Sequence, residues 1–210
     1  LESSLTQGSI ITITSYGYVK RTSLSQFLRV PSKGKKALII REGDELATAI
    51  YSASGCEENI DSEEIEVDND LTSEPVQGLE AEGELAESDD LEEDSSTQDE
   101  VAPGHSLFIV TKNGRVLRFS EESVRQQGRT SIGVKSISLR AEDKIAALTS
   151  DTHGSELVII TENGFGKRIK LDEFNVKGRR GQGVIGMAIS EKIGPVAAAL
   201  IVEAQDQIMI

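Results

Sequence analysis

The sequence has one cysteine, no tryptophan and two histidines, and only 4% of its residues are aromatic. Each scarcity removes a class of protein. A lone Cys56 cannot close a disulfide within the chain, so no disulfide scaffold and no oxidising compartment is indicated. Cys56, His105 and His153 cannot supply the four ligands of a Cys/His zinc site. No apolar run approaches the ~18–20 residues a membrane helix needs. The first residues lack the basic and apolar stretches of a signal peptide. Residue 1 is Leu, so the sequence reads as a fragment or a processed chain.

Bases are scarce too, 22 against 36 acids, for a net charge of -14. That total misleads until it is divided. Residues 55–100 hold 20 of the acids and no Lys or Arg. The remainder then has 16 acids against all 22 bases, a net of +6. The acidic segment has no aromatics and cannot bury enough apolar surface to offset its ordering entropy, so it is expected to be disordered. Its spaced run Ile60, Ile65, Val67 and Leu71 is the one part able to dock.

What remains repeats. Copies run over 10–54, 107–152 and 157–204, and aligning Gly17, Gly114 and Gly164 aligns the rest. Each copy opens with a β-branched run: 10–14, 107–111 and 157–161. Lys112-Asn113-Gly114 and Glu162-Asn163-Gly164 then read as two-residue hairpin turns. Second strands are expected at 18–22, 115–119 and 165–169, third strands at 37–40, 134–139 and 184–189, and fourth strands at 45–51, 144–149 and 195–202. Single helical turns are expected near 25–28, 121–125 and 171–174. Four short strands per ~50 residues is the count of a propeller-type blade. The expected organisation is an all-β array of four-stranded blades. The first blade spans 1–54, an acidic insertion 55–103, a second blade 104–154, a third 155–204, and the start of a further blade 205–210.

All three repeats resemble the blades of the C-terminal DNA-wrapping domain of bacterial DNA gyrase A. The residues that carry the likeness are Asn163-Gly164-Phe165-Gly166-Lys167-Arg168, Gly183-Val184-Ile185-Gly186 and Asp206-Gln207-Ile208-Met209-Ile210. Glu121 through Arg125 and Gly128 through Lys135 fit a middle blade. The related topoisomerase IV protein has a similar domain. The resemblance implies a β-pinwheel, a propeller-like disc whose blades exchange strands with their neighbours. The family's Gln-Arg-Arg-Gly-Gly-Lys-Gly signature is missing; the nearest segment is Lys177-Gly178-Arg179-Arg180-Gly181-Gln182-Gly183, in the third repeat. The acidic segment is not a recognised part of the family.

The resemblance implies DNA wrapping that supports negative supercoiling, and the charges fit it. The repeats carry +4, +3 and +2. One basic column lies on the second strand: Lys20, Arg21, Arg115, Arg118, Lys167 and Arg168, with Lys170 beside it. The other lies in the following loop: Arg29, Lys33, Lys35 and Lys36; Arg125, Arg129 and Lys135; Lys177, Arg179 and Arg180. A charge column repeated around a rim can hold a bent duplex by its phosphates without reading bases. The implied partners are double-stranded DNA, the rest of the gyrase A polypeptide and the gyrase B polypeptide, in a bacterial cytoplasm and with no membrane role. ATP and Mg2+ are implied only for the parent enzyme, with no cofactor in this chain.

No catalytic set is visible. Two isolated histidines argue against a Ser-His-Asp arrangement. The glycines of 178–183 are followed by no Lys-Ser/Thr of a phosphate-binding loop. Tyr16, Tyr18 and Tyr51 read as packing residues; in the family the DNA-cutting tyrosine belongs to a different domain. The alternatives are a protein-interaction propeller without a DNA role, and a topoisomerase IV-type domain.

Twenty carboxylates tethered to a basic body compete with phosphate at high effective concentration. Deleting residues 57–100 is therefore expected to tighten duplex binding several-fold, most at low salt. Equal affinities at every salt concentration would reduce the segment to a linker.

Overall fold

The apolar runs pair as antiparallel hairpins in the computed structural model, which describes residues 8–53, 105–152 and 154–208. The acidic insertion, Cys56 and His153 lie outside these residues. The strands are β1 (Ser9–Thr14), β2 (Tyr18–Ser23), β3 (Leu46–Ser52), β4 (Ser106–Thr111), β5 (Arg115–Ser120) and β6 (Val134–Lys135), then β7 (Ile145–Ser150), β8 (Glu156–Thr161), β9 (Gly166–Lys170), β10 (Val184–Ile185) and β11 (Val196–Val202). The helical turns are short 3-10 segments at Leu24–Phe27, Glu121–Ser123 and Leu171–Glu173. No helix among the described residues is long and apolar enough to cross a membrane.

One hairpin turn is used three times. The amide of Gly17 donates to the Thr14 carbonyl, Gly114 to Thr111 and Gly164 to Thr161, each at 2.9 Å. The same threonines accept the amides of Tyr18, Arg115 and Phe165 on Oγ1 at 3.2 Å. Asn113 and Asn163 keep negative φ, while the glycines take +82°, +74° and +80°. The expected two-residue turns are thus corrected to three-residue loops, a turn closed by a left-handed glycine.

Sheets are built across repeats. The orders are β3-β1-β2-β6, β10-β5-β4-β7 and β11-β8-β9. Strand β6 belongs to the second repeat but pairs with β2 of the first, Tyr18 opposite Lys135. Strand β10 of the third repeat likewise pairs with β5 of the second. This is the strand exchange that the resemblance implies. The expected third strands shrink to two residues each because the chain beyond them bonds to hairpins instead. Ser136 donates its amide to Gly17, and Gly186 and Met187 donate theirs to Gly114. Residues 37–40 form no strand, since no earlier repeat among the described residues offers an edge. The further blade expected from residue 205 is seen only as a turn in which Asp206 bonds Glu203, with 209–210 outside the described residues.

The exchange explains the apolar pattern. All six residues of β4 are buried. Leu107 and Ile109 enter one core with Ile11, Ile13, Val19, Leu117, Phe119 and Ile137. Phe108 and Val110 point the other way, into a second core with Leu157, Ile159, Ile169, Phe174 and Met187. Successive strand residues face opposite sides. A strand with a core on each side is therefore apolar along the stretch that faces both, Leu107–Val110, with Ser106 and Thr111 only at its ends. Phe108 meets Phe174 edge-on at 6.1 Å between ring centres.

Gly133 and Gly183 mark where the crossing chain reaches the preceding sheet. Both have positive φ, and an added Cβ would lie 2.5 Å from the Val19 oxygen and 2.7 Å from the Val116 oxygen. Gly34, the matching position in the first repeat, has φ +81° and nothing within 4 Å. Gly133→Ala is expected to cost at least ~2 kcal/mol, from strain plus clash. Gly34→Ala should cost only about 1 kcal/mol, from strain alone. Urea unfolding midpoints would check this; equal losses would refute the role of the close approach.

Candidate nucleic-acid interface

The basic loops of the second and third repeats are crossing segments, and 28–41 is their counterpart in the first repeat, which has no earlier repeat among the described residues. After the 3-10 turn of each of these two repeats the chain leaves its own sheet and runs beside the second strand of the preceding repeat. The turns at Leu24–Phe27 and Glu121–Ser123 are started by Ser23 and Ser120, whose side chains accept the amides of Ser25 and Glu122. The Gln127 amide then donates to the Arg21 carbonyl at 2.8 Å, and the Lys177 amide to Arg118 at 2.9 Å. These bonds are one joint, made twice.

In the first two repeats the second-strand cations are buried or half-buried. Lys20 is 1% exposed, and its Nζ donates to the carbonyls of Ala37 (2.7 Å), Arg129 (2.8 Å), Gly128 (3.3 Å) and Ser131 (3.3 Å). Burial pushes this lysine below the usual ammonium range, and the neighbouring Arg129 cation adds to the effect. Arg21 is buried too, with Nε 3.4 Å from Ser9 Oγ and 3.8 Å from the buried carboxylate of Glu121, to which the Ser52 hydroxyl also donates. Arg118 donates to the carbonyls of Leu171 (3.4 Å) and Phe174 (3.2 Å) and to Asp151 (3.3 Å), and lies over the Phe108 ring. The expectation that Lys20, Arg21 and Arg118 present a phosphate path is at odds with this placement: they are buried or half-buried, with Lys20 Nζ, Arg21 Nε and the Arg118 Nη groups turned to acceptors within the joint.

Four others are partly engaged. Arg115 donates to the carbonyls of Gln182 and Gly183. Lys135 donates to Tyr16 O at 2.7 Å and sits over the Tyr18 ring. Burial lowers the Lys135 pKa, Asp44 raises it and Arg41 lowers it. Lys167 donates to Gly186 O at 2.7 Å but stays exposed, and Arg168 pairs with Glu156 at 2.9 Å.

The basic loops keep the exposed cations. Lys33, Lys35, Lys36, Arg125, Lys177 and Arg180 are exposed, as is Lys170 on β9, while Arg129 and Arg179 are half-buried. Arg29 and Arg41 stand exposed in the same first segment, and Arg41 stacks 4.3 Å from the Tyr18 ring centre. Sequence reasoning passed over Arg41; its one signal was the acid-free stretch 28–41 that ends at it, just before Glu42. Indeed residues 28–41, 124–141 and 174–190 contain no Asp or Glu at all. Their backbone is pinned rather than loose. Arg180, at φ +71°, donates its amide to Ser136 O at 2.8 Å and accepts the Ser138 hydroxyl at 2.6 Å. Arg129 takes Gln26 Oε1 on its amide and gives its guanidinium to Lys36 O at 3.3 Å. Such an array can neutralise a line of anions. No group of three or more His, Cys, Asp or Glu among the described residues is placed to hold a metal.

A family model described as the DNA gyrase C-terminal domain, beta-propeller, matches residues 8–52, 105–150 and 155–203. The DNA gyrase A protein of Campylobacter jejuni is 33% identical over 206 residues, 93% of this chain and 21% of that protein. The Campylobacter fetus protein is 30% identical over 203 residues, 96% of this chain and 22% of that protein. The chain thus spans about a fifth of the length of these relatives. Among solved structures, a DNA gyrase A C-terminal domain matches with a TM-score of 0.65 at 17% identity, over 94% of this chain and 50% of that one. The C-terminal domain of a DNA topoisomerase IV matches at 0.63 and 19% identity, over 92% and 46%. Both support the fold.

Arg118→Ala would remove the donor to the Phe174 carbonyl and to Asp151 Oδ2, while the Leu171 carbonyl keeps the Phe174 amide and Asp151 Oδ1 keeps the Ser106 amide. It is expected to lower stability by about 2–3 kcal/mol and to leave the salt dependence of duplex binding unchanged. Urea unfolding and a salt titration check the two halves. A flatter salt dependence would return Arg118 to the phosphate path.

Proposed function

Because the chain belongs to the DNA gyrase C-terminal domain, beta-propeller family, we propose that it holds duplex DNA by its phosphates and bends it along the basic crossing segments. The observation that carries this reading is the acid-free composition of both crossing segments and of their counterpart in the first repeat, with exposed cations in each. A duplex bound through phosphates alone needs cations at intervals and a rigid frame beneath them. The repeating joint is such a frame. Glycines and pinned backbone in the segments allow close approach of the chain to phosphate.

The chain contributes geometry and no bond chemistry. In the parent protein, read as the gyrase A component of a type II topoisomerase, the bent segment would be delivered to a cleavage site formed elsewhere. ATP and Mg2+ would act in other parts of that assembly, which includes gyrase B. The relatives are bacterial, and a cytoplasmic protein working on the nucleoid fits that assignment.

Affinity for a duplex of ~100 base pairs, measured across a salt series, tests the proposal, with a steep log-log slope expected. Replacing Arg179 and Arg180 together by Ala should weaken binding to all sequences alike and reduce the slope by roughly 2, at ~0.9 for each phosphate no longer neutralised. Unchanged affinity and slope in the double variant would argue against this surface.

A further inference from the structure

The ammonium of Lys20 gathers carbonyl oxygens from two basic loops, Ala37 of the first repeat and Gly128, Arg129 and Ser131 of the second. No carboxylate lies within ion-pair distance of it among the described residues. A buried cation without a counter-charge is costly, so its retention asks for a reason. The fold of the joint is not that reason. In the second repeat the matching position is Leu117, which is just as buried and packs under Gly181 of the crossing segment from the third repeat. That joint closes with an apolar residue, and Ser138 holds the loop through Gly181 O and Arg180 O. In the third repeat the position is Lys167, which keeps the matching bond to Gly186 O.

What the charge adds at Lys20 is alignment. It draws three carbonyls of one loop and one of another to a single point. The positive ends of those peptide dipoles then point away from the ammonium. Two further bonds tie the same loops together: the Ile39 amide to Ser131 O at 3.2 Å, and the Arg129 guanidinium to Lys36 O at 3.3 Å. Lys36 is thereby joined to Arg129, and the exposed Lys33, Lys35 and Lys36 of one loop are carried on a backbone tied to the other.

We infer that Lys20 is a positioning residue for phosphate binding: it touches no DNA, and it fixes the two basic loops, 33–37 and 128–131, in one register. This rests on the DNA-binding reading above. A residue that acts through others leaves a distinct mark. Its replacement lowers affinity while every phosphate keeps its cation, so the salt slope stays while the whole line drops.

The test uses the full chain with Lys20→Met, and with Lys20→Leu to copy the residue at position 117. Both are expected to fold, judged by circular dichroism. Amide exchange of 126–133 should speed up, and affinity for a ~100-base-pair duplex should fall about tenfold. The log-log salt slope should match the unsubstituted chain. Lys167→Met, which removes an exposed cation, is the contrast and should flatten the slope. Unchanged affinity in folded variants would overturn the inference and leave Lys20 a structural residue. A slope reduced by about 0.9 would overturn it in favour of direct phosphate contact. Unfolding of both Lys20 variants would overturn it by making the charge a requirement of the fold. Failure of the unsubstituted chain to bind any duplex would refute the DNA-binding reading itself, a result separate from anything the variants show.

Discussion

The outer side of the second strand, in the first two repeats, takes its backbone partner from the following repeat. Strand β2 is completed by Val134–Lys135 and β5 by Val184–Ile185, while β9 has no such partner among the described residues. Unpaired backbone groups at a buried edge are costly. This requirement makes neighbouring repeats one folding unit rather than independent modules. It also dictates the crossing segments, their glycines at the point of closest approach, and the two cores on either side of β4.

The same joint sorts the charges. Cations on the second strand lie under the crossing segment, where carbonyls and acids meet them. Arg21 faces Glu121 and Arg118 faces Asp151. Cations on the crossing segment itself lie above the joint and stay in water. Where the following repeat is lacking among the described residues, the burial lapses, and Lys167 and Arg168 are exposed. One basic pattern in the sequence thus divides into a structural half and a half available to a ligand. The available half stands on a frame that the buried half helps to hold.

Much of the fold is legible in the residues. β-branched runs and glycine spacing mark the hairpins, and 10–14, 107–111 and 157–161 fall within β1, β4 and β8 or at their borders. The hairpin loops differ from expectation by one residue, because a threonine hydroxyl that closes the turn leaves no periodic signal. The third strands are shorter than expected, because an apolar run cannot say whether its backbone pairs with a strand or bonds to a hairpin. Of the candidate interface, most of the loop cations stand in solvent, whereas Lys20, Arg21 and Arg118 do not.

The sequence by itself determined the all-β repeat, the segregation of 20 acids into one segment, and the places where glycine must turn the chain. These are local properties, set by propensity, periodicity and charge within a few neighbouring residues. Only the tertiary structure decided which cations are inside. Three of the oxygens that hold Lys20 belong to residues 108, 109 and 111 positions further along the chain. A lysine's burial is a property of what folds over it, and what folds over Lys20 is a segment of another repeat.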